Sequence, residues 1–496
     1  MLFLALDQST SATKALLFDR EGRVVDKVSR EHTQHFPRPG WVEHDAEEIW
    51  QNTLIVLKTL LERHREHRKE IRSLSICNQR ETTVVFDRAS GKPLRRAIVW
   101  QCRRSVDICK AHRAAGHEET IQRKTGLLVD AYFSASKLQW LVENEPQIGA
   151  ALESGQACAS TIDAYLVHRL TGGEVFATDH TNASRTLLFD ISTRQWDDEL
   201  CGLFGVPRQS LPEVRECTAH FGETTLGGAL EQPIPIVGVM GDSQASLFAQ
   251  RCYEPGGAKV TFGTGSSILL NIGHEIVPAP KGVVTTLAWV HNGVPTYAFE
   301  GIIISSASTL VWLKDQLGLI HDIAECEEMA TQLEDNGGVY LVPAFSGLGL
   351  PHWAPAAKAA IVGLTSQSDR RHLARAGLES IAYQIRDALD AMCNDDIQVA
   401  QLYGDGGPTA NRFLMQFVAD LVGVELSINT VSECSPLGAV LAGMLGQGEF
   451  DSLDAIAASP RYDIRYEPVN NGSATSEAYL GWQAAVQQLL NSPSSS

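Results

Sequence analysis

Four polar elbows interrupt the sequence where apolar runs end, and each carries side chains able to meet an anion, a cation or a proton. The first follows "LFLALD". Asp7 closes that run, and Ser9, Thr10, Ser11, Thr13 and Lys14 crowd behind it before a second apolar run, Ala15 to Phe18. The others are Gly241-Asp242 after "IPIVGVM", Gly263-Thr264-Gly265 after "KVTF" and Gly404-Asp405-Gly406-Gly407 after "VAQLY". Small residues let backbone N–H groups come close to an anion, and a helix that follows adds the favourable end of its dipole. A carboxylate at a strand end can hold Mg²⁺, commonly through water. A carboxylate beside a substrate hydroxyl can take its proton. Any one elbow alone reads first as a tight turn, and Asp242 as the N-cap of the helix after it.

The elements around the elbows alternate between strand and helix. "DAEEIWQNTLIVLKTLLER" has Asp45 as N-cap, Glu48 three residues on, and Ile49, Trp50, Leu54, Leu57 and Leu61 at helical spacing. "IRSLSIC" (71–77) reads as a strand followed by the polar loop "NQRETT", and "SASKLQWLVENEP" as a helix capped near Ser134. "IPIVGVMGDSQASLFAQ" is strand, Gly-Asp elbow and helix. "KVTFGTGSSILLNIG" then repeats the layout of the opening: strand, small-residue loop, apolar strand, glycine. The letters differ, but the shared layout suggests a duplicated domain with one phosphate-facing loop per copy. There is no G-x-x-x-x-G-K-[ST], so this is not a P-loop protein. No G-x-G-x-x-G follows the first strand, which argues against a dinucleotide enzyme.

The 496 residues are enough for a two-lobed enzyme with a sizeable core. The net charge of −18 argues against nucleic acid as a partner. Ten cysteines without any C-x-x-C fit free thiols in a reducing cytoplasm. No basic leader precedes the first apolar run and no apolar stretch is long enough to span a bilayer, so a soluble cytoplasmic protein without a membrane partner is expected. The composition of "NSPSSS" (491–496) predicts a disordered tail.

Many long segments together resemble the FGGY carbohydrate-kinase family, and within it most closely the glycerol-phosphorylating branch, over roughly residues 2–485. They include "GWVEHDAEEIW", "NQRETTVVFDRASGKPLRRAIVWQCRRS", "TGLLVDAYFSASKLQW", "TDHTNASRTLLFDI", "GDSQASLF", "VPAFSGLGLPHW", "LESIAYQIRDALDAM" and "DGGPTANRFLMQF", all in family order. The resemblance implies an α/β protein of two actin-like (ribonuclease H-like) domains around a central cleft. The expected division is 1–246, on the polyol or sugar side, and 247–490, on the ATP side. It assigns Asp7 and Asp242 to Mg²⁺, and Thr10, Ser11, Lys14, Gly263, Thr264, Gly265, Ala307, Gly406, Gly407 and Asn411 to ATP. Arg80, Glu81, Trp100, Tyr132, Asp242, Ser243 and Ser267 fall on the polyol, with Asp242 as the catalytic base. Asp179, Asn182 and Arg185 lie in a family-like segment and are read as structural. A homodimer or homotetramer is expected on the same ground.

The departures from the family pattern are local. Ser243 stands where the branch carries Gln, and Ser267 where it carries a Phe packed on the substrate carbons. Ala307 replaces a glycine and Val311 a glutamine. The expected reaction is therefore ATP-dependent phosphorylation of a primary hydroxyl, with glycerol the first substrate. A four- or five-carbon polyol or ketose such as erythritol, xylulose or ribulose is the alternative, because two serines leave room. A structural or chaperone ATPase would not need Arg80, Glu81, Trp100 and Tyr132 together with a base at 242. A sugar-responsive repressor would carry a basic helix-turn-helix ahead of the first strand.

Overall fold

The structure is a computed structural model that describes every residue except 432, 462, 470–472 and 492–496, together with the side chains of 473 and 474. The expected disordered tail thus lies outside the described residues, apart from Asn491, which closes the final helix.

The N-terminal sheet has six strands: β1 (Leu2–Gln8), β2 (Ala12–Asp19), β3 (Val24–Glu31), β4 (Ile71–Asn78), β5 (His220–Thr224) and β6 (Ile234–Gly241), in the order β5-β6-β4-β1-β2-β3. β1, β4 and β6 are mutually parallel; β2, β3 and β5 run against their neighbours. The unbroken apolar run of β1 is explained by burial of both faces. Leu4 and Leu6 enter a core with Ile49, Leu57 and Leu61 of helix α1 (Ala46–Arg63), while Phe3 and Ala5 enter a second core on the opposite face. Asp45 caps α1 as expected, accepting from Glu47 N and Glu48 N. The Glu48 carboxylate does not complete a reciprocal box, because it accepts from Thr33 instead. Helix α2 (Ser134–Asn144) starts where expected, but Ser134 is not its cap: the hydroxyl donates to Glu81 O at 3.0 Å. Helix α3 (Asp242–Ala249) follows β6 directly, and the expected domain division at 246/247 falls inside it.

The C-terminal sheet has seven strands: β7 (Gly257–Phe262), β8 (Ser266–Gly273), β9 (Val284–His291), β10 (Val294–Ile303), β11 (Gln401–Asp405), β12 (Leu426–Asn429) and β13 (Asp463–Tyr466). Their order is β9-β10-β8-β7-β11-β12-β13, with β7, β11 and β12 parallel and the rest antiparallel to their neighbours. Setting aside edge strand β9, this repeats the N-terminal order and directions strand for strand. The duplicated layout expected from the sequence is present, as is the two-domain α/β architecture. Helices α4 (Ser308–Asp315), α5 (Arg370–Met392), α6 (Arg412–Val422) and α7 (Cys434–Gly446) are among those of this half.

The two sheets meet over α3 and α7. A single core joins Phe3 and Ala5 of β1, Leu247 and Phe248 of α3, Leu269 of β8, and Ala439 and Ala442 of α7. The helices cross with their backbones nearly touching: a Cβ at Gly438 would lie 1.7 Å from Ala245 O. That crossing sets the carboxyl ends of β1, β4 and β6 opposite those of β7 and β11.

Candidate active site

The four elbows all lie at carboxyl ends of the parallel strands β1, β6, β7 and β11. Asp7 sits on β1 beside Cys77 of β4, which in turn pairs with Met240 of β6. This register brings Asp7 near Asp242, the residue after β6. Burial raises the pKa of Asp7; Lys14 acts against this at 3.0 Å, and the charge of Asp242 adds to the rise.

Asp242 is the first residue of α3 rather than its cap, a position held by Gly241. Its carboxylate accepts from Ser243 N at 2.7 Å, lies 3.3 Å from Arg80 Nε and is 40% exposed. The helix-cap reading is therefore set aside: this carboxylate has one oxygen on its own backbone and an open side.

Arg80 and Glu81 follow β4 in the "NQRETT" loop, and both are buried. Glu81 has φ +59, a left-handed conformation that non-glycine residues rarely adopt and that clusters at functional sites. Its pKa is raised by burial, with Arg80 and Arg185 acting the other way. Trp100 and Tyr132 meet edge to face at 5.4 Å between ring centroids and form a half-buried wall. Trp100 Nε1 donates to Thr10 Oγ1 at 2.9 Å, so that wall is tied to the first elbow. Ser243 and Ser267 come together: their hydroxyls are 3.2 Å apart, one on α3 and one on β8.

On the other side, Gly263 O accepts from Ala307 N at 3.0 Å, and Thr264 O accepts from Ser306 N and Ser308 N at 2.9 and 3.2 Å. The third elbow is thus clamped onto the start of α4, of which Ala307 is the N-cap residue. A Cβ at Gly265 would meet Ile303 O at 2.4 Å, and one at Gly406, where φ is +102, would meet Phe262 O at 2.0 Å. Only glycine fits at either position. Gly407 by contrast is exposed, with nothing within 4 Å of its Cβ position, and Ser11 and Thr264 are exposed as well. Asn411 caps α6 by accepting from Leu414 N at 2.8 Å, leaving its amide nitrogen for another partner.

Lys14 is more engaged than a free phosphate ligand would be. It pairs with Asp7 and, at 3.3 Å, with Glu433 at the start of α7; Lys27 of β3 reaches the same Glu433 at 2.7 Å. Burial opposes the Lys14 charge, but Asp7 and Glu433 outweigh it and raise its pKa.

Sequence reasoning missed Glu300 and Gln244, and read Arg185 as structural. Arg80 donates to Gln244 Oε1 at 3.1 Å and to Glu300 Oε1 at 2.7 Å; Arg185 donates to Glu81 Oε1 at 2.7 Å and pairs with Glu300. Burial works against ionisation of Glu300, yet Arg185 and Arg80 hold its pKa down to about 2. The signal was available: a carboxylate inside "TYAFEGII" has no business in an apolar strand without buried cations.

Residues 2–249 match the N-terminal domain of the FGGY family of carbohydrate kinases and residues 258–446 its C-terminal domain. Glycerol kinase 1 of Thermotoga maritima is 45% identical over 491 residues, 99% of this chain and 100% of that protein. Glycerol kinase of Shewanella amazonensis is 45% identical over 99% of both chains. The crystal structure of Plasmodium falciparum glycerol kinase with ADP superposes with a TM-score of 0.93 at 35% identity, covering 99% of this chain and 98% of that one. A ligand-bound xylulose kinase of Lactobacillus acidophilus, at 20% identity and a TM-score of 0.87, shares the fold. With both family domains matched in order and relatives alike from end to end, this chain belongs to the FGGY family of carbohydrate kinases.

Proposed function

We propose that the protein transfers the γ-phosphoryl group of ATP to a primary hydroxyl of glycerol. The observation that carries this reading is Asp242: an uncapped, partly exposed carboxylate beside a buried arginine, at the point where the strand ends of both sheets converge. The relatives at 45% identity are glycerol kinases over their full length, which favours glycerol as the acceptor.

In this reading Arg80 and Glu81 bind the acceptor hydroxyls, Trp100 and Tyr132 form a flat wall, and Ser243 and Ser267 close the far side. Thr10, Ser11, Lys14 and the Gly263-Thr264-Gly265 loop face the phosphates. Ala307, Gly406, Gly407 and Asn411 border the nucleoside. The acceptor O–H bond breaks as its oxygen bonds to the γ-phosphorus in line, the bond to ADP breaks, and the proton passes to Asp242. The residues present fit a magnesium ion, since Asp7 and Asp242 are two oxygen donors whose mutual repulsion a cation would relieve. When bound, Mg²⁺ would offset negative charge on the phosphate oxygens.

The test is ADP release from purified protein with ATP, Mg²⁺ and a panel of glycerol, erythritol, xylitol, ribulose and xylulose. Glycerol should give the highest kcat/KM, and a rate no higher than the acceptor-free blank would refute the proposal. The contact between Ser243 and Ser267 supports a second reading, in which a four- or five-carbon acceptor is also used, because two small side chains leave width where a larger pair would not.

A homodimer or homotetramer and action in the cytoplasm complete the proposal. All ten cysteines are free thiols, nine of them buried, as suits a reducing compartment. Among the described residues no helix is long and apolar enough to cross a membrane. Light scattering on the eluted peak would fix the oligomeric state.

A further inference from the structure

We infer that Glu300, on a strand of the C-terminal sheet, is the positioning residue that completes the polyol subsite of the N-terminal half by fixing Arg80; the inference rests on the kinase reading above. Arg80 comes from the loop after β4, Glu300 from the middle of β10, where it pairs with Leu269 and Val284. Both side chains are buried. A guanidinium has five N–H groups in a rigid plane. One on Nη1 is spent on Gln244 and one on Nη2 on Glu300, while Nε faces Asp242 at 3.3 Å. The second N–H of each terminal nitrogen has no hydrogen-bond partner among the described residues. Two anchored corners therefore aim two unspent donors, and this is the arrangement that recognition of neighbouring hydroxyls requires.

The second oxygen of Glu300 pairs with Arg185, whose Nε holds Glu81. One carboxylate on the far sheet thus sets both charged polyol-facing residues, Arg80 directly and Glu81 through Arg185. Its removal would leave Arg80 with Asp242 as the nearest carboxylate within reach. A guanidinium prefers to engage a carboxylate through two bonds. Arg80 would then swing onto the carboxylate that has to receive the proton, and the acceptor would lose its donors. The two sheets must also be in register for Arg80 to be aimed at all, so the polyol subsite is assembled across the halves.

The experiment compares wild type, Glu300→Gln, Glu300→Asp and Gln244→Ala on whichever acceptor the wild type turns over best, so failure on glycerol itself leaves this measurement intact. Glu300→Gln should raise the acceptor KM by about 10–100-fold, the span expected for a bond to a charged group, with kcat falling less and the ATP KM within about twofold. Glu300→Asp should recover part of the loss. Gln244→Ala, which buries no uncompensated charge, should raise the same KM by about 3–10-fold. A folded Glu300→Gln protein with a lower melting temperature but an unchanged acceptor KM would overturn the inference. So would an equal rise in both KM values, which would mean a general loosening of the two halves. If Glu300→Gln does not fold, an unchanged acceptor KM in Gln244→Ala overturns it.

Discussion

Asp242 is the first helical residue after a strand, and its neighbour Gly241 takes the cap position, so the carboxylate contributes little to the helix. Asp242→Asn should leave the fold and ATP binding intact and lower kcat by about 10²–10⁴-fold, the usual size of a lost general base. Steady-state ADP release together with nucleotide titration checks this, and a wild-type rate would reduce Asp242 to a turn residue. The serine pair gives a second prediction. With the two hydroxyls 3.2 Å apart, Ser243→Gln with Ser267→Phe would narrow the space between α3 and β8. One ring of added apolar contact, discounted for fit, is worth about 1–2 kcal/mol, so the kcat/KM ratio of glycerol to xylitol should rise about 5–30-fold. Equal losses on every acceptor would instead mean overpacking. The carboxylates and small residues of the four elbows were legible as types at strand ends. Glu300 was legible only as a carboxylate out of place in an apolar strand, and Gln244 not at all, because their partners Arg80 and Arg185 lie far away in sequence and no local spacing encodes those contacts.

At the scale of elements, the strands, elbows and main helices follow from apolar runs and small-residue punctuation, and α1 from Asp45. What the sequence hid was partnership. Ser134 looks like a cap but bonds Glu81 O, and Glu48 looks like half of a box but holds Thr33, because tertiary partners offered better geometry than local ones. The tightest element contact is the crossing of α3 and α7. Gly438→Ala would drive a methyl into Ala245 O and should cost about 1–3 kcal/mol or more. Gly202→Ala, also helical but with nothing within 4 Å, should be neutral or slightly stabilising. Urea midpoints at unchanged slope measure both. The hairpin elbow between β1 and β2 is braced by Gln34, which donates to Thr10 O at 2.8 Å and bonds buried His44 at 2.7 Å. Burial, with His32 and His35 beside it, holds the His44 pKa down to about 3. An unfolded histidine binds its proton near 6.5, so as pH falls from 6.5 to 3 only the unfolded state gains it and stability is lost. From this group the loss should be about 3 kcal/mol at pH 4, and His44→Gln should flatten that part of the stability curve measured by urea titration at pH 7, 5 and 4.

For the whole molecule, the question is whether the two halves are fixed or move. They share one core at the crossing of α3 and α7, but towards the strand ends they are joined by partly exposed polar links, Lys14 and Lys27 to Glu433. A packed crossing with polar contacts at its open end has the character of a hinge, since the close-packed core resists sliding while ion pairs can be exchanged for ligand contacts. The chemistry supplies the reason for motion. Asp242 is 40% exposed, and a base open to water beside the γ-phosphate would favour hydrolysis over transfer to the acceptor. Binding of both substrates should therefore bring the halves together and cover Asp242. Small-angle scattering should show a smaller radius of gyration with glycerol and a non-hydrolysable ATP analogue together than with neither. Each ligand alone should give a smaller change, because each touches mainly one half and offers less binding energy to offset the loss of freedom. With ATP itself, a deoxy analogue of glycerol lacking the reacting hydroxyl should lower the ATPase rate below that measured without it, because closure excludes water. A scattering profile unchanged at saturation would place the protein in one fixed arrangement, with water kept from the phosphate by the local walls of Trp100 and Tyr132 alone.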